Sequence, residues 1–506
     1  MELKRFLVWL ILLLTCVSQV CSFRILCLFT TPVSSHLQTH MAVAKGLIAR
    51  GHNLTIVTAL PATVPNNTYR YLNLPMAENR TKLYRYIGEK SSRWSLYYSM
   101  VHSFKGFAEW GAACIQHDMF KKFLEEDECY DLVILGYIIN QSQLGVAAHF
   151  KSPVVVIWVN QLLGDHLEIV GNPTESSYVP NFWTTAAQPM TFLQRVENYF
   201  TNLQFVALDW FTFYYSRSLY RYDPFPIRLI SALSYFFLFR ESFPVGKYPE
   251  FSEMLNNVSA VFYNHHFSQG IFPKVPALIE VGGIQIKEKP DPLPYKIQEF
   301  LDNSTDGVIY FSLGTNAGTF NLGHRVQRSI YKVLSRLPQK VIWKCESNEV
   351  PGQAPNILFS KWLPQDDILA HPKVRLFITH GGYGSVTEAR HHAVPIVGIP
   401  LFGDQFKNVY QAAESGWGRA LALEEIGEKT FYEVVFDVLT NAKYKKAAKK
   451  ASELFRDRPM SPMDTCMFWI EYVIRHRGAP HMQSPAVHMG LIAYYALDVL
   501  AFILLL

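Results

Sequence analysis

Residues 361–408 read KWLPQDDILAHPKVRLFITHGGYGSVTEARHHAVPIVGIPLFGDQFKN. Three apolar-to-polar junctions fall within this one segment. The first is Trp362-Leu363-Pro364-Gln365. In the second, the apolar run Arg375-Leu376-Phe377-Ile378-Thr379 ends at His380, Gly381 and Gly382 and is followed by Gly384, Ser385 and Glu388. In the third, Ile396-Val397-Gly398-Ile399-Pro400 leads to Asp404 and Gln405. Short buried strands whose exits carry polar groups build the ligand edge of an open α/β sheet, where loops at the carboxyl ends of parallel strands converge.

Each junction suggests a chemistry. The Gly381-Gly382 pair lets the backbone turn and approach a ligand without a Cβ in the way. Ser385 with Glu388 three residues later has the form of a capping box, so a helix is expected to start there. Free N–H groups at a helix start attract an anion. A simple helix cap is the plain alternative for Ser385 and Glu388. His380 beside the glycines can donate to a phosphate oxygen. Asp404 and Gln405 can bond vicinal hydroxyls, as a hexose presents them, or serve only as the start of a helix. Trp362 offers a flat face for a base and Gln365 an amide for its edge, although a lone Trp is more often core.

The ordered set resembles the signature of the UDP-glycosyltransferase family, the animal UDP-glucosyl- and glucuronosyltransferases, and looks nearer the invertebrate members. The resemblance implies that Trp362 stacks on uracil, Gln365 contacts the nucleoside and His380 holds the α-phosphate. It implies ribose hydroxyls on Glu388 and the sugar on Asp404 and Gln405. Gly384 departs from the Asn common in this loop, which leaves the phosphate to backbone N–H groups and Ser385. Upstream, Gly314-Thr315-Asn316 after the strand Val308–Leu313 resembles the family's phosphate loop, with the Thr315 hydroxyl aimed at the β-phosphate.

The chain has 506 residues, room for about two to four domains by length. It is 49% hydrophobic and 14% aromatic, enough for large cores, and a net charge of +5 with scattered Lys and Arg gives no nucleic-acid surface. Residues 1–22 carry Lys4 and Arg5, an apolar run and small residues before Ser22, the pattern of a secretory signal peptide. Sequons at Asn66, Asn79, Asn140, Asn257 and Asn303 suit that compartment, while Asn53 lies in an expected core strand. Cys27, Cys114, Cys129, Cys345 and Cys466 follow the signal without metal-like spacing, and Cys114–Cys129 is the one pair worth testing as a disulfide. Residues 489–506 are apolar apart from Asp498 and resemble the start of the family's C-terminal membrane anchor, cut short of the roughly 20 residues a span needs.

Along the chain, the strand Arg24–Phe29, a loop through His36, an amphipathic helix Leu37–Arg50 and the strand Asn53–Thr58 open a βαβ sheet with His36 at its ligand edge. The resemblance makes His36 the base that takes the acceptor's hydroxyl proton. The family steadies that imidazole with an Asp after a segment that here runs from Tyr130 to Gly145. Its position falls on Gly136, with Asn140-Gln141 where related members place an acid, so Gln141 is the candidate to hold the imidazole by a hydrogen bond. Residues 200–239, dense in aromatics, read as helices lining an acceptor pocket, resting on a membrane or filling a core.

The implied architecture is two Rossmann-like domains facing a cleft, the GT-B type, with a C-terminal anchor. Residues 23–285 form the acceptor half, 286–306 a Pro-rich linker, and 307–478 the UDP-sugar half, whose last helices pack back onto the first. The implied reaction is inverting transfer of a hexose, glucose favoured, from a UDP-sugar to a hydroxyl of a small lipophilic acceptor, without a metal. The alternative is a catalytically impaired partner protein that binds a UDP-sugar or lipophile, because the dyad Asp is missing. The implied location is the endoplasmic reticulum membrane with luminal catalytic domains, and a homo- or hetero-oligomer stays open.

Overall fold

The computed structural model describes residues 22–505 apart from 77–79, 81–82, 84–92, 161–168, 182, 187, 221–242, 245, 315–321, 346–349 and 402. The signal segment, Asn79 and Thr315 therefore lie outside the described residues.

The first sheet is built from β1 (Arg24–Phe29), β2 (Asn53–Thr58), β3 (Arg70–Asn73), β4 (Leu132–Gly136), β5 (Val154–Trp158), β6 (Val258–Tyr263) and β7 (Leu278–Glu280). All seven run parallel in the order β3-β2-β1-β4-β5-β6-β7. Its central strands are apolar beyond Arg24, as sheets covered on both faces require: Ile25 to Phe29 and Leu132 to Leu135 are buried. The helix α1 (Ser34–Ala49) follows β1, α2 (Arg93–Gln116) covers one face, and the long α3 (Phe192–Tyr220) packs on α2.

The second sheet holds β8 (Val308–Ser312), β9 (Lys340–Lys344), β10 (Ile357–Ser360), β11 (Val374–Thr379), β12 (Ile396–Gly398) and β13 (Gly418–Ala420), parallel in the order β10-β9-β8-β11-β12-β13. Three helices frame its ligand edge: α4 (Gln365–Leu369), α5 (Tyr383–His391) and α6 (Gln405–Glu414). In each sheet strand order reverses beside the first strand, between β1 and β4 and between β8 and β11, and open α/β sheets bind ligands at such reversals.

After the second sheet the chain returns. Cys466, Met467, Ile470 and Val473 of α7 (Pro462–Arg475) join the core of the first sheet. Arg50 pairs with Asp464 at 3.0 Å, and a side chain on Gly46 of α1 would collide with Met463. The linker is pinned by Lys287, whose Nζ lies 2.7 Å from both Asp291 and Asp367.

Two expectations need correction, and two others find no support among the described residues. Among the described residues no helix is long and apolar enough to cross a membrane. The C-terminal stretch forms Leu491–Tyr494 and α8 (Leu497–Leu505), broken where Ala496 adopts φ +52°. Cys114 is buried, Cys129 is exposed, and both are free thiols. The Asn140 sequon is 1% exposed and its amide donates to the Gly136 carbonyl and to Gln143 Oε1, so no glycan fits there. Asn66, Asn257 and Asn303 are exposed, and so is Asn53 at the start of β2. Of the aromatic stretch 200–239, residues 221–239 lie outside the described residues; no described residue of α3 lines the cleft, and Phe200, Leu203, Val206, Trp210 and Tyr214 face outward, over an inner face that includes Asn198, Thr212 and Ser216.

Candidate active site

The two strand-order reversals open onto one cleft of about 1880 Å³. Trp362, Gln365, His380, Gly382, Gly384, Ser385, Glu388, Asp404 and Gln405 line one wall, and His36 lines the other.

On the second-sheet side the backbone sets the geometry. Gly381 has φ +85°, and a Cβ there would stand 2.3 Å from Val409, so the turn out of β11 accepts only glycine. α5 starts earlier than the capping box implied. Its N-cap is Gly382, with no side-chain cap, so its first N–H groups face the cleft uncapped, as an anion site requires. Ser385 and Glu388 are occupied otherwise: Gln365 Nε2 donates to Ser385 Oγ at 2.9 Å and to Glu388 Oε2 at 2.7 Å. The Tyr310 hydroxyl donates to Gln365 Oε1 at 3.3 Å, completing a chain from the sheet floor to the cleft. Burial, then the charge of Asp366, pushes the Glu388 carboxyl up to about 8.

The His380 ring lies between two glycines. A Cβ on Gly314 would meet its Cε1 at 2.7 Å, and one on Gly382 its Nε2 at 2.6 Å. Its Nδ1 is enclosed without a partner, and burial with Lys344 nearby lowers it to about 4. Lys344, at the end of β9, lines the cleft and donates to the Gly314 carbonyl at 3.1 Å. Sequence reasoning missed this cation, although a lysine ending an apolar strand of the second sheet was its signal. A side chain on Gly384 would touch Gln285 at an ordinary 3.7 Å, so glycine there is no steric necessity.

Asp404 Oδ2 accepts from Asn408 at 2.8 Å, and burial raises its carboxyl. Gln405 is buried and its Oε1 accepts from the Leu401 N–H at 2.9 Å, which ties half of the amide to the loop. Trp362 is 67% exposed, its indole free of the core role common for Trp.

On the first-sheet side His36 sits inside the first turn of α1, not in the loop before it, because the helix begins at Ser34. Its ring meets Trp158 edge-on at 6.4 Å between centroids. Nδ1 is enclosed without a partner, which leaves Nε2 as the nitrogen towards the cleft. Burial, then the neighbouring His40, lowers the imidazole to about 3. Gln141 does not hold it: Gln141 is buried behind the cleft and its Oε1 accepts from the Ser216 hydroxyl at 3.2 Å. The apolar wall beside His36 comes from Phe104, Phe107, Ile138, Ile139, Trp158 and Trp183. Among these Ile139 holds φ +56°, a conformation that β-branched residues avoid.

Comparison with known proteins agrees with this geometry. The model of the family described as UDP-glucoronosyl and UDP-glucosyl transferase matches residues 28–506. UDP-glucosyltransferase 2 of Dactylopius coccus is 32% identical over 488 residues, 95% of this chain and 89% of that protein. UDP-glucuronosyltransferase 2C1 of Oryctolagus cuniculus is 30% identical over 496 residues, 93% of each. The fold is also similar to solved GT-B structures at low identity. UDP-glucose: anthocyanidin 3-O-glucosyltransferase in complex with UDP gives a TM-score of 0.55 at 15% identity, covering 89% of this chain and 99% of that one. The calicheamicin glycosyltransferase CalG4 gives 0.53 at 15%, covering 90% and 99%.

Proposed function

This chain belongs to the UDP-glucuronosyl and UDP-glucosyl transferase family, and from that premise we propose the details of its reaction. It is a UDP-glycosyltransferase that moves a sugar from a UDP-sugar. The sugar is glucose, delivered with inversion to a hydroxyl of a small lipophilic acceptor. Uracil lies on Trp362, ribose hydroxyls meet Glu388, and the diphosphate sits at the α5 N-terminus beside His380, with Lys344 close by, while the sequence resemblance assigns Thr315 to the β-phosphate. Asp404 and Gln405 hold the hexose. The acceptor rests against Phe104, Phe107, Trp158 and Trp183, and His36 Nε2 takes its hydroxyl proton. The oxygen attacks the anomeric carbon from the face opposite UDP, and the electron pair of the broken bond leaves with the nucleotide.

One observation carries the reading: a buried imidazole on the first sheet's reversal and an uncapped helix start on the second's share one cleft. The glucose preference is supported by the printed name of the insect relative. The binding-only alternative, raised by the missing carboxylate at Gly136, is not favoured by family membership. A luminal location is supported by the residue 1–22 pattern and by exposed Asn66, Asn257 and Asn303.

His36→Ala should lower turnover about 10²–10⁴-fold, the usual worth of a general base, while UDP binding by calorimetry stays intact. Persisting turnover would place the base elsewhere. Parallel assays with UDP-glucose and UDP-glucuronate decide the sugar.

A further inference from the structure

Trp158 ends β5 with its ring edge-on to His36, and two residues further on stands Asn160. Trp158 and Asn160 both line the cleft, while Val159 between them is buried and does not. An extended backbone imposes that alternation, so Asn160 faces the cleft on the same side as the Trp158 ring. Asn160 is half-buried. Neither its Oδ1 nor its Nδ2 has a hydrogen-bond partner among the described residues, and neither atom is sealed off from solvent.

The surroundings make this amide costly to cover. The acceptor wall is otherwise apolar, made by Phe104, Phe107, Ile138, Ile139, Trp158 and Trp183. Other short polar side chains on the first half's side of the cleft are engaged or open to bulk water. Ser34 Oγ accepts from Arg80 at 3.0 Å, the Thr39 hydroxyl donates to the Ser35 carbonyl at 3.4 Å, and Ser35 and Thr63 are exposed. An acceptor that fills the space against the wall drives water off the Asn160 amide. A plain hydrocarbon gives nothing back, and an amide stripped of water without a new partner is a penalty on binding. A hydroxyl or carbonyl at the same place restores the bond, since Nδ2 can donate to either and Oδ1 can accept from a hydroxyl.

We propose that Asn160 is a specificity-determining residue of the acceptor site. It bonds a second polar substituent, so that the cleft selects aromatic acceptors carrying a hydroxyl or carbonyl besides the hydroxyl that reacts. The aromatic part of the preference comes from the Phe104, Phe107, Trp158 and Trp183 rings, which offer faces and edges to another ring. The proposal rests on the reading of this side of the cleft as the acceptor site. The second substituent takes no part in bond making. By holding it, Asn160 fixes which hydroxyl is left to meet His36. Selection works by penalty as well as reward, because an acceptor without the substituent leaves the amide unpaired.

The test compares the full chain with Asn160→Leu and Asn160→Ala, using UDP-glucose or UDP-glucuronate, whichever the parent turns over. The acceptors are 2-naphthol and its 2,3-, 2,6- and 2,7-dihydroxy relatives, with kcat/KM counted per hydroxyl. In the parent at least one dihydroxy isomer should exceed 2-naphthol by about fivefold, the worth of one hydrogen bond. Asn160→Leu should cut that advantage to less than twofold, leave the KM for the UDP-sugar unchanged and hold or lower the KM for 2-naphthol. Asn160→Ala should lose the same advantage. Each ratio is taken within one variant, so a smaller folded fraction cancels, and either variant alone carries the comparison. Equal turnover of all four acceptors by the parent overturns the proposal and leaves the transfer reaction standing. So does a dihydroxy advantage that survives in the Asn160 variants. A parent that transfers to none of the four overturns this proposal and the acceptor-site reading together.

Discussion

Glu388 meets two opposed demands. Its carboxyl is raised to about 8 by burial and by Asp366, yet it must accept hydrogen bonds if ribose hydroxyls are to rest on it. Only the ionised form accepts at both oxygens, so binding should draw off a proton. UDP-glucose has no titrating terminal phosphate and makes a clean probe. Its affinity should rise with pH from 6.5 to 8, by up to about tenfold per unit, the limit for one linked proton. Glu388→Gln should weaken binding about tenfold and flatten that slope, as calorimetry at several pH values would reveal. A slope that survives the substitution would assign the proton to another group. The positions of several candidate residues were legible because strand exits converge at a sheet's ligand edge: Trp362, His380 and Asp404 line the cleft. What sequence could not give was competition for hydrogen bonds. Ser385 and Glu388 looked like each other's capping partners, and Gln365 claims both. Gln141 looked free to reach His36, and Ser216 on a distant helix bonds it instead.

At the scale of elements, α6 does two things at once. Its start carries Asp404 and Gln405, and one turn on, Lys407 reaches into the other half of the molecule, where its Nζ donates to the Pro180 carbonyl at 3.0 Å and the Asn181 carbonyl at 3.2 Å. Gln411 of the same helix donates to the Gln269 carbonyl, and Tyr383 of α5 bonds the Gln269 side chain at 3.3 Å. The loop so held also carries Trp183 of the acceptor wall. Burial lowers Lys407 to about 7, so near neutral pH its amine is charged only in part and each of these hydrogen bonds is worth about 1 kcal/mol. Lys407→Met should therefore release the Trp183 loop and raise the acceptor KM about tenfold, with UDP-glucose affinity unchanged. A substitution that instead weakened the nucleotide and spared the acceptor would show that α6 serves the donor alone. The strands β1 and β2 match their sequence reading end to end, because β1 is apolar from Ile25 to Phe29 and β2 is rich in β-branched residues and closed off by Gly51 before it. The edge strands β3 and β13 escaped that reading: β3 is half-buried at every position, and its strand character comes from pairing with β2, not from local pattern. α1 begins ahead of the expected Leu37 because nothing at its start signals a cap: Val33 is the N-cap and makes no side-chain bond.

For the whole molecule, the histidines that build the cleft and the junction between halves set the acid limit of stability. Burial lowers His36 and His40 to about 3 and His266, His380 and His391 to about 4, against about 6.5 in an unfolded chain. Between those values the unfolded chain binds protons that the folded chain refuses, so stability rises with pH and is lost on acidification below 6.5. Each group contributes up to about 1.4 kcal/mol per pH unit, so the five together reach about 7 kcal/mol per unit. Glu388 works the other way, since its raised carboxyl binds a proton in the folded state first, but as one group it offsets only about a fifth of that slope. The melting temperature should thus fall steeply from pH 6.5 to 5. His40→Phe removes one of the five histidines, so its acid slope should be about a fifth shallower while its stability near pH 7 is kept. Melting curves of both chains across pH 5–8 decide the matter. A flat profile in the parent would mean that these rings are charged or open to water in the folded protein, which would also remove the neutral imidazole that the transfer step needs.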